Sequence, residues 1–101
     1  MELFCSFDLP VLTAKQRRAY RRFHKFLENE GFVMFQESLY CRMIPSGHPL
    51  EALKKTVMKH APDEGSVVLI TVTEKQFENM VFVTGSFNTN VISSKEKVVV
   101  L

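Results

Sequence analysis

Long apolar runs are missing from this chain of 101 residues. None approaches the roughly 20 consecutive apolar residues that a membrane-spanning helix needs, so no membrane partner is expected. The amino terminus has no basic segment followed by an apolar stretch and a small-residue cleavage site, and no export signal is read there. Cysteine is scarce. Cys5 and Cys41 stand alone, too far apart for any short metal-ligand spacing. Without an export signal they read as reduced thiols in the cytoplasm, with a disulfide left open as the alternative should their strands be neighbours. There is no zinc-type spacing, no aromatic RNP motif and no Gly-rich phosphate loop. No nucleophile stands beside a base in the sequence, since Ser6 and Ser38 lack a partner. His24, His48 and His60 read as ordinary surface histidines. Repeats and low-complexity segments are absent.

A large net charge is missing too, at +2. What matters is where the charges sit. Basic residues crowd Lys15-Gln16-Arg17-Arg18-Ala19-Tyr20-Arg21-Arg22-Phe23-His24-Lys25, while acids are scattered elsewhere. The rest of the composition, 46% hydrophobic and 24% charged, is ordinary for a globular domain. The length suits one domain with a modest core that oligomerisation would reinforce.

The local pattern predicts an α+β fold. A first strand runs from about Glu2 to Phe7, with apolar residues on both faces, as in a central strand. Thr13 with Gln16 three residues later has the form of a capping box, and helix one should end by Gly31. Phe32 to Ile44 is extended, with a corner or bulge expected near Gln36-Glu37-Ser38. Leu50 to His60 is a second amphipathic helix, with Leu50, Leu53 and Val57 on one stripe. Ser66 to Thr73 is a strand, Glu74 to Phe77 a short helical turn, and Met80 to Thr84 another strand. A polar loop from Ser86 to Lys95 leads to the terminal strand Val98 to Leu101. The order β-α-β-β-α-β with extra short strands is that of a ferredoxin-like sandwich. It divides into residues 1–85 and a tail, 86–101, whose apolar end should pair with a neighbouring sheet or a partner.

Helix one carries the clearest physical signal. At about 100° per residue, Ala19, Tyr20, Phe23, Phe26 and Leu27 share one arc and Arg17, Arg18, Arg21 and Lys25 the opposite side, with Lys15 and Arg22 flanking. Like charges at i,i+4, such as Arg17–Arg21 and Arg18–Arg22, destabilise an isolated helix. A face that accepts this cost suits an anion, and arginine matches phosphate geometry well. Such binding would follow the backbone and shape of a nucleic acid rather than its base edges. Asp8 ends the first strand ahead of Pro10, which cannot donate to a ladder. One acid at a strand tip beside an arginine-rich helix points to a metal and phosphate. An Asp that merely caps the following turn is the simpler alternative.

Taken in order, Phe7-Asp8-Leu9-Pro10, Arg17-Arg18-Ala19-Tyr20-Arg21-Arg22-Phe23, Gly31-Phe32, Phe35-Gln36-Glu37-Ser38-Leu39-Tyr40-Cys41-Arg42 and Thr73-Glu74-Lys75-Gln76-Phe77 closely resemble the small CRISPR-associated protein 2 family. The pattern is most similar to the versions that accompany type II systems, and covers residues 1 to about 85. The resemblance implies a homodimer of ferredoxin-like subunits completed by exchanged C-terminal strands. It also implies a part in spacer acquisition, bridging two dimers of a partner integrase and holding captured double-stranded DNA. The family is further described as metal-dependent nucleases of RNA or double-stranded DNA, which implies Mg²⁺ or Mn²⁺. Asp8 matches the family's metal-binding, catalytic aspartate, and Arg22 a basic helix-one position. The correspondence of Arg17 and Arg18 is looser. With Arg21, Lys25 and Arg42 these arginines form the expected nucleic-acid-binding set, and Tyr40 takes the place of an aromatic.

Overall fold

β1 (Glu2–Asp8) is the central strand that the sequence pattern predicts, flanked by β3 (Leu39–Met43) on one side and β4 (Ser66–Val72) on the other, both antiparallel. The computed structural model describes residues 1–87 and 99–100. β2 (Val33–Gln36) completes a four-stranded sheet in the order β2-β3-β1-β4. With α1 (Ala14–Asn29) between β1 and β2, and α2 (Leu50–His60) between β3 and β4, this is the ferredoxin-like α+β arrangement that the residue pattern suggests.

The extended stretch before Ile44 folds as two strands. Gln36 pairs with Leu39, so Glu37 and Ser38 alone make the turn. Ser38 takes the left-handed conformation at φ 62, uncommon for a residue with a Cβ, and its carbonyl accepts from the Phe7 amide at 3.0 Å. A register shift between Met34 and Gln36 supplies the expected bulge.

Strand alternation divides the buried residues between two faces. Leu3, Cys5 and Phe7 face the helices, where Phe23 and Leu27 of α1 and Leu53 and Val57 of α2 are buried against them. Each such large side chain contributes about 1.5–3 kcal/mol on full burial. The predicted arc on α1 is therefore core, with Tyr20 and Phe26 half-buried at its margins. Phe7 centres an aromatic group, 5.6 Å from Phe23, 5.7 Å from Tyr40 and 6.0 Å from Tyr20 between ring centroids.

Phe4 and Cys41 lie on the other face and pack with Val72 and Phe77. Phe77 comes from α3 (Glu74–Glu78), where the sequence indicated a short helical turn. Its start repeats the device of α1: Thr73 and Gln76 form a capping box, as Thr13 and Gln16 do. β5 is shorter than expected, Val81–Phe82, and pairs in parallel with β6, Val99–Val100. The terminal strand thus finds a partner within this chain. The expected loop from Ser86 to Lys95 falls mostly outside the described residues. Among the described residues, no helix is long and apolar enough to cross a membrane.

The cysteines occupy neighbouring strands without meeting. Phe4 stands opposite Cys41 and Cys5 opposite Tyr40, so the two thiols point to opposite faces of the sheet. Both are free and buried, and burial pushes each thiol up to about 12. At Cys41 the Glu2 carboxylate adds to the effect.

Candidate nucleic-acid interface and strand-end carboxylate

The amino-terminal turn of α1 is built by local spacing. Thr13 Oγ1 accepts from the Gln16 amide at 3.0 Å, and Gln16 Oε1 accepts in return from the amides of Thr13 and Leu12 at 3.0 and 2.9 Å. Gln16 Nε2 also donates to Glu64 Oε2 at 3.0 Å, joining this turn to the connection between α2 and β4. The start of α1 is thereby fixed relative to the sheet.

The predicted basic residues separate into four groups. Arg18, Arg21 and Lys25 are exposed on the solvent side of α1, and among the described residues none of them is in an ion pair. Arg17 is exposed as well, but its Nη1 donates to the carbonyls of Val11 and Leu12 at 3.1 and 3.0 Å. It fastens the β1–α1 loop to the helix. Arg22 turns to the other margin of α1, where with Lys15 it lines a cavity beside Tyr20 and Phe26. Arg42 stands apart from all of these. It is half-buried on β3, with Nη2 3.3 Å from His48 Nε2 and its side chain over Gly31. Gly31 follows the carboxyl end of α1 at Asn29, and eleven residues of helical rise, about 16 Å, separate that end from Arg18. Tyr40, quoted as a match to a family aromatic, is buried and stacked in the core.

Asp8 is exposed at the last position of β1. Alternation places it on the face opposite the helices, in line with Phe4 and Ser6. Its backbone position is set by Gly65, where φ is +87 and a Cβ would lie 2.5 Å from the Asp8 carbonyl oxygen. Only glycine lets β4 start so close to the end of β1. Among the described residues the Asp8 carboxylate makes no hydrogen bond to a turn, so the capping alternative finds no support. No group of three or more His, Cys, Asp and Glu side chains that could hold a metal occurs among the described residues. Mg²⁺ takes one or two carboxylates and completes its shell with water and phosphate. Asp8 alone therefore supplies at most one of the protein ligands that such an ion takes.

On the same face, Val68 and Ile70 of the edge strand β4 are 49% and 44% exposed. They alternate with Val67 and Leu69, which pack inward under the helices. The position of this apolar strip next to Asp8 depends on the sheet and could not be read from local pattern.

The fold and these features define a ferredoxin-like α+β protein with a basic helix on one layer and an exposed strand-end aspartate on the other. Fold alone does not assign a function, and sequence relationships narrow the class. Residues 1–80 match the family described as CRISPR associated protein Cas2, and the chain belongs to that family. It is 38% identical over 101 residues to a protein of Streptococcus mutans, covering all of this chain and 93% of the relative. Proteins of Treponema denticola and Ligilactobacillus salivarius are 37% and 39% identical, in each case over the full length of both chains. All three relatives bear the name CRISPR-associated endoribonuclease Cas2.

Proposed function

We propose that this chain works as a dimeric adaptor in CRISPR spacer acquisition, bridging a partner integrase and holding double-stranded DNA on its basic helical surface. The observation that carries this reading is the outer side of α1. Arg18, Arg21 and Lys25 are exposed there, free of carboxylate neighbours in ion-pairing range among the described residues. Cations so displayed contact phosphates and release counterions from a duplex, and they do so without reading its sequence. The dimer is supported by the exposed Val68 and Ile70. An apolar strip on an edge strand is a self-complementary surface that a two-fold axis covers in both copies at once.

The second reading is metal-dependent phosphodiester cleavage, supported by Asp8 and by the endoribonuclease names of the relatives. Packing two copies through the face that carries Val68 and Ile70 brings both Asp8 carboxylates towards the axis. The pair makes up the two-carboxylate set that Mg²⁺ or Mn²⁺ accepts. A metal held there supplies charge neutralisation at phosphate and a more acidic water. The protein's own part is to hold the two carboxylates, through the close approach of Asp8 and Gly65.

Asp8→Ala separates the readings. The expected result is loss of Mg²⁺- or Mn²⁺-dependent cleavage by the purified dimer, with spacer acquisition retained in cells that supply the integrase. Bridging depends on shape and on the basic face, neither of which this substitution alters. Loss of acquisition by a folded, dimeric, integrase-binding Asp8→Ala protein would refute the adaptor-only account and make the carboxylate part of the biological role. Light scattering on the protein alone, then with integrase and duplex, tests the assembly. A monomer that forms no ternary complex would overturn it.

A further inference from the structure

A cavity of about 320 Å³ opens between α1, from Lys15 to Phe26, and the connection from α2 to β4. One wall is helical and aromatic, from Tyr20 and Phe26. The other is the chain from His60 through Glu64. Lys15 and Arg22, two turns apart on α1, both line it.

His60 is held in a defined way. Its ring stacks on Phe26, with centroids 4.2 Å apart and planes inclined by 11°. Its Nδ1 lies 2.9 Å from the Thr56 carbonyl, and a carbonyl only accepts, so Nδ1 carries the proton. In the neutral ring Nε2 is then a fixed acceptor. Across the cavity, the Gln16–Glu64 hydrogen bond holds the opposite rim. A ligand that fits this lining has a flat ring to lie against aromatic faces, N–H groups for Nε2 and the carboxylates, and a negative charge for Lys15 and Arg22.

We propose that this cavity seats one unpaired nucleotide of a DNA strand, its base among Tyr20, Phe26 and His60 and its phosphate at Lys15 and Arg22. Stacking on aromatic side chains combined with cations along the backbone is how proteins hold single strands without reading sequence. The inference rests on the DNA-binding reading above and extends it. Arg22 follows the strand beyond the duplex surface of Arg18 and Arg21 and brings its terminal nucleotide to the cavity. The site is separate from Asp8, because alternation along β1 sends the Asp8 carboxylate to the opposite face while Leu9 and Pro10 line the cavity.

The test compares three labelled duplexes by fluorescence anisotropy: blunt, bearing one unpaired 3′ nucleotide, and bearing an abasic residue at that position. The wild-type dimer should bind the unpaired base about fivefold or more tightly than the abasic form, the lower range for a base–aromatic stack. His60→Ala removes an exposed side chain, so the fold survives. It should erase that preference and leave blunt-duplex affinity unchanged. Equal affinity of the wild type for base and abasic ends, or an undiminished preference in His60→Ala, overturns the proposal. Failure of every duplex to bind is failure of the DNA-binding reading. Titration with free deoxyadenosine monophosphate then decides the cavity by itself: shifts in the His60 and Tyr20 ring resonances support it, and their absence overturns it. Loss of integrase binding by His60→Ala, with every nucleotide titration unchanged, would assign the cavity to a protein partner and also overturn the proposal.

Discussion

Gly65→Ala should be far more damaging than Gly47→Ala, although the two glycines have nearly the same backbone conformation, with φ of +87 and +84. An L-residue in the left-handed region costs about 1–2 kcal/mol. Reduced freedom of the unfolded chain returns about 0.4–1 kcal/mol. At Gly47 nothing lies within 4 Å of a new Cβ, so the net cost there is about 1 kcal/mol. At Gly65 the Cβ would lie 2.5 Å from the Asp8 carbonyl oxygen, 2.9 Å from Leu9 Cδ2 and 3.1 Å from Leu9 Cα. The leucine methyl can rotate away, but the two backbone atoms cannot. Moving them adds about 1–3 kcal/mol, the usual penalty for an overpacked site, for a total of about 2–4 kcal/mol. Because about 1 kcal/mol shifts Tm by 4–8 °C in a domain of this size, Gly65→Ala should melt at least 8 °C below wild type and Gly47→Ala about 4–8 °C below. Thermal unfolding followed by circular dichroism measures both. In the Gly65→Ala protein the Leu9 amide resonance should also move, because the Asp8–Leu9 peptide group is what the methyl displaces. Equal melting temperatures for the two variants, or an unmoved Leu9 amide, would refute the close-approach argument and with it the account of how Asp8 is held.

The basic face predicts a different signature: charge reversal at Arg18 and Arg21 should weaken duplex binding across unrelated sequences and flatten its salt dependence, while the melting temperature stays near that of wild type. Arg17→Ala should reduce the salt slope less and mobilise the Val11–Leu12 loop, visible as faster amide exchange, because its guanidinium already serves two carbonyls. The cysteines make a prediction about pH. Their folded-state values lie at about 12 against 9.0 for an ordinary thiol. The unfolded chain therefore gives up these protons first, and stability should be fully present below pH 9 and fall progressively between about pH 9 and 12. Cys5→Ser with Cys41→Ser should flatten that slope. At pH 8, thiol reagents should label the wild type only as fast as it opens.

Much of this protein is decided within a few residues along the chain. Thr13 and Gln16 form their capping box because a hydroxyl and an amide three residues apart reach each other's backbone in any helix start. Phe23 and Leu27 share a buried face because the helix has 3.6 residues per turn, and the same period sets Arg18, Arg21 and Lys25 outward. For the same reason the ferredoxin-like element order and the exposed basic face were legible in the sequence. Other properties depend on which distant segments the sheet brings together. Cys5 and Cys41 lie on adjacent strands, yet a register of one residue puts them on opposite faces and rules out their bond. Arg42 has the charge of the α1 arginines but stands at the far end of that helix, beside His48. Arg17 has the spacing of a phosphate ligand, and its fork is turned back on loop carbonyls that no pattern of side chains reveals. The terminal Val99–Val100 pairs with Val81–Phe82 in parallel, a choice that hydropathy alone leaves open between neighbours. The cavity beside Arg22 exists only because the chain returns after 48 residues to set Glu64 against Gln16. Periodicity reports which side of an element is apolar, whereas the identity of what faces it follows from strand order and crossover, which are properties of the assembled sheet.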